Sequence, residues 1–251
     1  MESYMRSLPV FSCLYRQAKV IANLSIGDYT SSMSTIPRHT GSVPRIDPIP
    51  AEPIFDYVAL SEALSQYRRP RDRITRLLRT GRIIRLKKGL YCRPDELSNG
   101  VLHRGVIANL LYGPSYVSLQ TALSAYGMIP EEVVHLTSIT TGKAKRYNTP
   151  IGAYLYRAVS PSYYWRGVRI VGGERYGRHM CASPEKAVAD IVYFTPGLRT
   201  EQAVADFLFD DLRIGEEELC RLDAEAFAHI AAGANKPGLS ACSSLLRELT
   251  G

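Results

Sequence analysis

Between Arg68 and Arg93 the chain carries eleven Lys and Arg and a single acidic residue, Asp72. Arginine can pair bidentately with the O6 and N7 edge of guanine or with phosphate oxygens, whereas lysine acts as a point charge on phosphate. On a wheel of 100° per residue, Ile74, Leu77 and Leu78 share one face of a helix over Pro70 to Thr80. Arg69, Asp72, Arg73, Arg76 and Arg79 lie opposite, and Arg71 lies on a flank. Like charges this dense repel one another, and a helix made only for solvent usually mixes its signs. The run GRIIRLKKGLYCRP follows with Arg82, Arg85, Lys87, Lys88 and Arg93, the two lysines at its tip. The chemistry offered is recognition of a polyanion.

The elements that must position these groups can be read locally. Tyr57 to Gln66 has Val58, Leu60, Ala63 and Leu64 at helical spacing. Pro70 opens a second helix at a favoured position, and Gly81 follows its end. Ile83, Ile84 and Leu86, then Leu90 and Tyr91, read as two strands joined at Lys87-Lys88-Gly89. Helix, helix and basic ribbon is the order of a winged helix-turn-helix, in which the second helix enters the major groove and the wing holds phosphate. The expected DNA-binding set is Arg69, Arg71, Arg73, Arg76, Arg79, Arg82, Arg85, Lys87 and Lys88. Within it, Arg69, Arg71, Arg73 and Arg76 are assigned to the groove, and Arg85, Lys87 and Lys88 to the backbone. RNA binding by the same patch, or a solvated basic face that meets acidic protein or nothing, are the alternatives.

The whole chain of 251 residues has a net charge of +7, and residues 68–93 alone have +10, which leaves −3 for the rest. Its acidic end, 194–251, has five basic and ten acidic residues. With 45% apolar and 22% charged residues the composition is that of a globular protein of one or two domains. Five widely spaced cysteines without a C-x-x-C fit a reducing compartment, so the expected address is the cytoplasm. His179 and Cys181 form a lone H-x-C with no second ligand pair for zinc. The charge-free stretch from Gly105 to Pro130 is broken by Gly113-Pro114 and by polar residues, and fails as a membrane span. No membrane partner and no cofactor are expected.

Five prolines between Pro37 and Pro53 predict an extended linker. Before it, a short docking helix around 10–24 is one reading and an alternative start at Met33 is another. After the ribbon, helices are expected at about 100–112, Leu119 to Tyr126, Pro184 to Phe194 with Ser183 as cap, and Thr200 to Phe209, with an acidic helical end from about 216. Strands are expected at Val133 to Thr140, Ala153 to Val159 and Arg166 to Val171, with Thr141 to Pro150 as a loop. The fold class is therefore α+β: a poorly ordered extension and Pro-rich linker over 1–50, a winged helix over 51–95, and a mixed α+β domain with a helical C-terminus over 96–251. Lys143, Lys145, Arg146 and Arg157 form a candidate secondary surface for nucleic acid or a partner.

Signs of an enzyme are few. The chain has no Walker loop, G-x-S-x-G, H-E-x-x-H or G-x-G-x-x-G, and none of its seven lysines follows an acidic residue by two positions as in a (D/E)-x-K nuclease motif. Lys186 and Asp190 are spaced i, i+4 and read as a surface ion pair. No catalytic residue and no metal ligand is assigned. A protein-interaction module that holds a basic partner on the acidic C-terminal helices, at Glu216 to Glu218, is the competing function.

The run ITRLLRTGRIIRLKKGLYCRP resembles the winged-helix domain of the AbiEi antitoxins of type IV toxin–antitoxin and abortive-infection systems. Gly81, Arg82, Ile83, Arg85, Leu86, Gly89, Leu90 and Tyr91 match that family's GRIxRLxRGLY ribbon. PSYVSLQTALSAYGMIPEEVVHLTSITTGKAKRYNTPIGAYLYR and SPEKAVADIVY are similar to its next domain, so the resemblance covers about 55–195 and leaves residues 1–50 outside. The resemblance implies a transcriptional repressor that binds inverted repeats in its own promoter. It also implies an antitoxin that counteracts a nucleotidyltransferase-like toxin without a stable complex.

Overall fold

The computed structural model describes residues 48–98, 103–173 and 177–250. The expectations placed on residues 1–47 lie outside the described residues. Among the described residues the fold is mixed α+β with two sheets. The chain falls into two compact units, one holding the described residues to Ile84 and from Tyr91 to 98, the other holding Arg85–Leu90 and the described residues from 103 onward.

In the first region β1 (Ile54–Asp56) leads into α1 (Tyr57–Ala63), then α2 (Pro70–Arg79), β2 (Ile84–Lys87), β3 (Leu90–Cys92) and α3 (Pro94–Ser98). The sheet order is β1-β3-β2. Asp56 starts α1 by accepting the Ala59 amide at 2.8 Å. Gly81 stops α2 with φ +67°, a conformation that costs glycine little. Phe55, Leu60, Leu64, Ile74, Leu77, Ile83 and Tyr91 form one buried cluster, so the aliphatic stripe read from α2 is its packing face. The first helix ends three residues earlier than expected, and β1 had no period to reveal it.

The second unit continues with α4 (Arg104–Leu111), β4 (Ser115–Val117), α5 (Gln120–Ala125), β5 (Leu136–Thr140), β6 (Lys145–Thr149), β7 (Gly152–Ala158), α6 (Pro161–Tyr164), β8 (Val168–Gly173), β9 (Gly177–Ala182) and α7 (Pro184–Phe194). Then come α8 (Glu201–Asp206), a π-helical turn (Phe207–Asp211), α9 (Glu216–Cys220), α10 (Ala224–Ala231) and α11 (Pro237–Thr250). The sheet order is β6-β7-β5-β4-β9-β8, with β5–β7 and β4–β9 parallel and the other pairs antiparallel.

The expected loop Thr141 to Pro150 is corrected here: its second half is β6, an edge strand registered from Lys145↔Tyr156 to Thr149↔Gly152. Its side chains are mostly exposed, so no apolar alternation marked it as a strand. The sheet separates two helical layers. On one face Tyr156 donates to the Ala108 carbonyl of α4 at 2.6 Å, and Asn109 of α4 accepts the Met180 amide at 2.6 Å. On the opposite face Tyr116 of β4 lies under Lys186 of α7, whose Nζ is 5.7 Å from the ring centre. Ser183 caps α7 by accepting the Lys186 amide, as its sequence predicted.

Candidate nucleic-acid interface

The arginines of α2 do not all hang free in solvent. Arg73 is half-buried, with its guanidinium 4.5 Å from the centre of the Tyr67 ring, a cation–π contact that orders the side chain. Arg71 interacts with the Tyr57 phenol, which lowers the pKa of that phenol and raises that of the guanidinium. Arg69 stands at the N-cap, exposed, 3.9 Å from Asp72. Arg76 and Arg79 are exposed on the last turns. The helix thus buries Ile74 and Leu77 and displays guanidinium groups, two of them steadied by tyrosines.

On the ribbon Arg82, Arg85 and Lys88 are exposed. Lys87 departs from the expectation of a phosphate contact at a free tip. The turn consists of Lys88 and Gly89, and the Lys87 ammonium donates to the carbonyls of Leu110 and Leu111 at 2.9 and 2.8 Å. These carbonyls end α4, where no further helical turn supplies amide donors and where a cation is favoured. Lys87 is occupied as a helix cap.

The four residues of the candidate secondary surface do not share one face. Lys145 is registered with Tyr156, and Arg146 with Leu155, so successive residues of β6 point to opposite sides of the sheet. Lys145 lies over Tyr112 and Tyr147, 5.2 and 4.9 Å from their centroids. Arg157 alternates with Tyr156 on β7 and stacks 4.0 Å above Phe194. Lys143 is exposed in the loop before β6. The structure therefore splits the set into Lys145 on one face and Arg146 with Arg157 on the other.

The i, i+4 pair of α7 is the clearest correction. Lys186 and Asp190, expected at the surface, are both fully buried, with Nζ and Oδ1 3.2 Å apart. Lys186 also donates to the Tyr163 carbonyl at 3.0 Å, and Ser118 donates to Asp190 at 2.6 Å. Burial pushes the lysine down to about 8 and the aspartate up, while their mutual attraction opposes both shifts. Sequence spacing cannot report which face of a helix is covered, and α7 is covered on nearly all sides. Next to Ser118, Leu119 turns the chain from β4 into α5 with φ 57° and ψ −146°. A strained strand-to-helix turn of this kind can present a nucleophile, but here it presents an apolar side chain that is 2% exposed.

Neither a family model nor a curated protein matches the chain.

Among the described residues no three His, Cys, Asp or Glu side chains gather where a metal could sit, and no helix is long and apolar enough to cross a membrane. His179 stacks on His103 at 4.7 Å between ring centres, with 14° between the planes. Residues that sequence reasoning left out are Tyr57 and Tyr67, each paired with an arginine of α2. The available signal was an aromatic residue within reach of the basic helix, at each end of the preceding helical segment.

Proposed function

We propose that this protein is a double-stranded DNA-binding transcriptional repressor whose α1, α2 and ribbon act as a winged helix-turn-helix. The observation that carries the reading is α2 itself: one buried aliphatic face, and an opposite face of arginines of which Arg71 and Arg73 are pre-ordered by Tyr57 and Tyr67. Ordering a guanidinium before binding lowers the entropy lost when it meets its target. Arg73, Arg76 and Arg79 are assigned to base edges in the major groove, with Arg82, Arg85 and Lys88 on the flanking phosphates.

The sequence resemblance to the AbiEi antitoxins supplies the wider role. In this proposal the protein binds inverted repeats upstream of its own operon and counteracts a co-encoded nucleotidyltransferase-like toxin, without a stable complex and without a cofactor. Its place of action is the cytoplasm.

The test is binding of the full chain to the DNA upstream of its own gene, against a scrambled duplex, at three salt concentrations. A preference of roughly a thousandfold or more for the native sequence supports a repressor. Equal affinity for both duplexes refutes sequence-specific regulation. Arg73→Ala is expected to cost about 1–3 kcal/mol on the native site and to relax preference at one position. The antitoxin role is tested apart from this, by growth of cells that express the neighbouring nucleotidyltransferase-like gene with and without this chain.

A further inference from the structure

A cleft of about 500 Å³ opens between α1 and the first turn of α2, lined by Tyr57, Ser61, Arg69, Pro70, Arg71 and Asp72. We propose that this cleft seats one phosphate oxyanion, held by Arg71, Arg69 and the Tyr57 hydroxyl, and that Arg71 is thereby a phosphate contact and not a reader of bases. The source of the phosphate, a duplex backbone, rests on the DNA-binding reading; the chemistry of the cleft does not.

The donors converge from two helices. Arg71 lies beside the Tyr57 phenol in the cleft lining, and a guanidinium carries five N–H donors with which to meet an anion. The Tyr57 hydroxyl adds a neutral O–H donor to the same lining. Ser61 lines the same cleft, and its buried hydroxyl oxygen has no hydrogen-bond partner among the described residues. Arg69 also lines the cleft, at the N-cap of α2, where no side-chain hydrogen bond caps the helix. A tetrahedral oxyanion can accept from several directions at once, which suits this arrangement better than a planar base edge does.

Geometry also separates Arg71 from the arginines beyond it. A side chain that reads a base projects from its helix into the groove, whereas Arg71 shares a cleft lining with Tyr57 of α1. Asp72 opposes the site. It is the lone acidic residue of the basic segment, it lines the cleft, and it sits 3.9 Å from Arg69. Its carboxylate competes with an arriving anion for that guanidinium, so neutralising it should strengthen binding.

The experiment measures binding of the full chain to the upstream DNA and to a scrambled duplex across salt. Arg71→Ala is expected to weaken both duplexes by a similar factor, about tenfold, and to lower the slope of log affinity against log salt by about 0.9, as loss of one phosphate contact requires. Tyr57→Phe removes a neutral donor and should cost about fivefold on both with the slope unchanged. Asp72→Asn should tighten both. A loss for Arg71→Ala confined to the upstream DNA would overturn the proposal, as would silence of Tyr57→Phe and Asp72→Asn on both duplexes. Melting curves confirm that each variant is folded.

A second arm titrates inorganic phosphate and follows the Asp72 amide by NMR. A saturable shift in the wild type that is absent from Arg71→Ala supports the oxyanion seat even if no duplex binds, in which case the DNA reading fails alone. No shift together with no duplex binding sinks both.

Discussion

Lys186 and Asp190 stand one turn apart on α7 with their charged atoms 3.2 Å from each other, and neither side chain reaches solvent. Ser118, 72 positions earlier, completes the group by donating to the same carboxylate. A buried ion pair recovers its desolvation cost only when both members are present, and removal of one leaves a charge without its partner.

Lys186→Met should therefore destabilise the protein by about 3–5 kcal/mol, and Asp190→Leu by a similar amount. The double substitution should cost less than either alone, since no uncompensated charge remains. Urea unfolding of the three variants checks this. Additive losses would show that the two groups are not coupled in the folded protein.

His179 is 8% exposed, and burial, reinforced by the neighbouring His103, pushes its pKa down to about 4 from an ordinary 6.5. The unfolded chain binds the proton more readily between those values, so stability is lost as pH falls from about 6.5 to about 4. The full effect is about 3 kcal/mol at one site, at 1.36 kcal/mol per unit of pKa. Thermal melting from pH 7 to pH 4 should show the decline, and His179→Asn should flatten it.

Gly105 lies in the first turn of α4 directly against the His179 ring, where a Cβ would overlap the imidazole. Its backbone needs no special φ, so the requirement is space. Gly105→Ala should cost about 1–3 kcal/mol despite the better helix propensity of alanine, because the displaced ring lies between α4 and β9. A measured gain in stability would contradict the close approach.

Lys87 and Lys88 are adjacent in the chain but have different tasks in the structure. If the protein binds DNA as proposed, Lys88→Ala should lower the salt slope of that binding by about 0.9 and leave the melting temperature nearly unchanged. Lys87→Ala should do the reverse: a drop of about 1 kcal/mol in stability, as the last carbonyls of α4 lose their cation, with the slope preserved. Paired salt titrations and melts distinguish the two.

Much of this architecture was legible because its signals are local. Pro70 and Gly81 bound α2, Ser183 and Pro184 open α7, and the period of Ile74, Leu77 and Leu78 marks the packing face of α2. The concentration of eleven basic residues in 68–93 is likewise a property of the chain alone, and it falls on α2 and the ribbon. Strand β6 escaped because an edge strand shares its hydrogen bonds with one neighbour and needs no apolar alternation.

Tertiary structure decided what depends on distance through space. It tied Lys87 to the end of α4, set Arg71 against Tyr57 and Arg73 against Tyr67, and sent Lys145 and Arg146 to opposite faces of one sheet. It also carried Lys186 and Asp190 from an expected surface into the core. The sequence by itself determined which segments fold as helices and where positive charge accumulates, since propensity, capping and composition act over a few residues. Which of those charges are left to meet another molecule was decided by packing, because burial and partner choice arise between residues far apart in the chain.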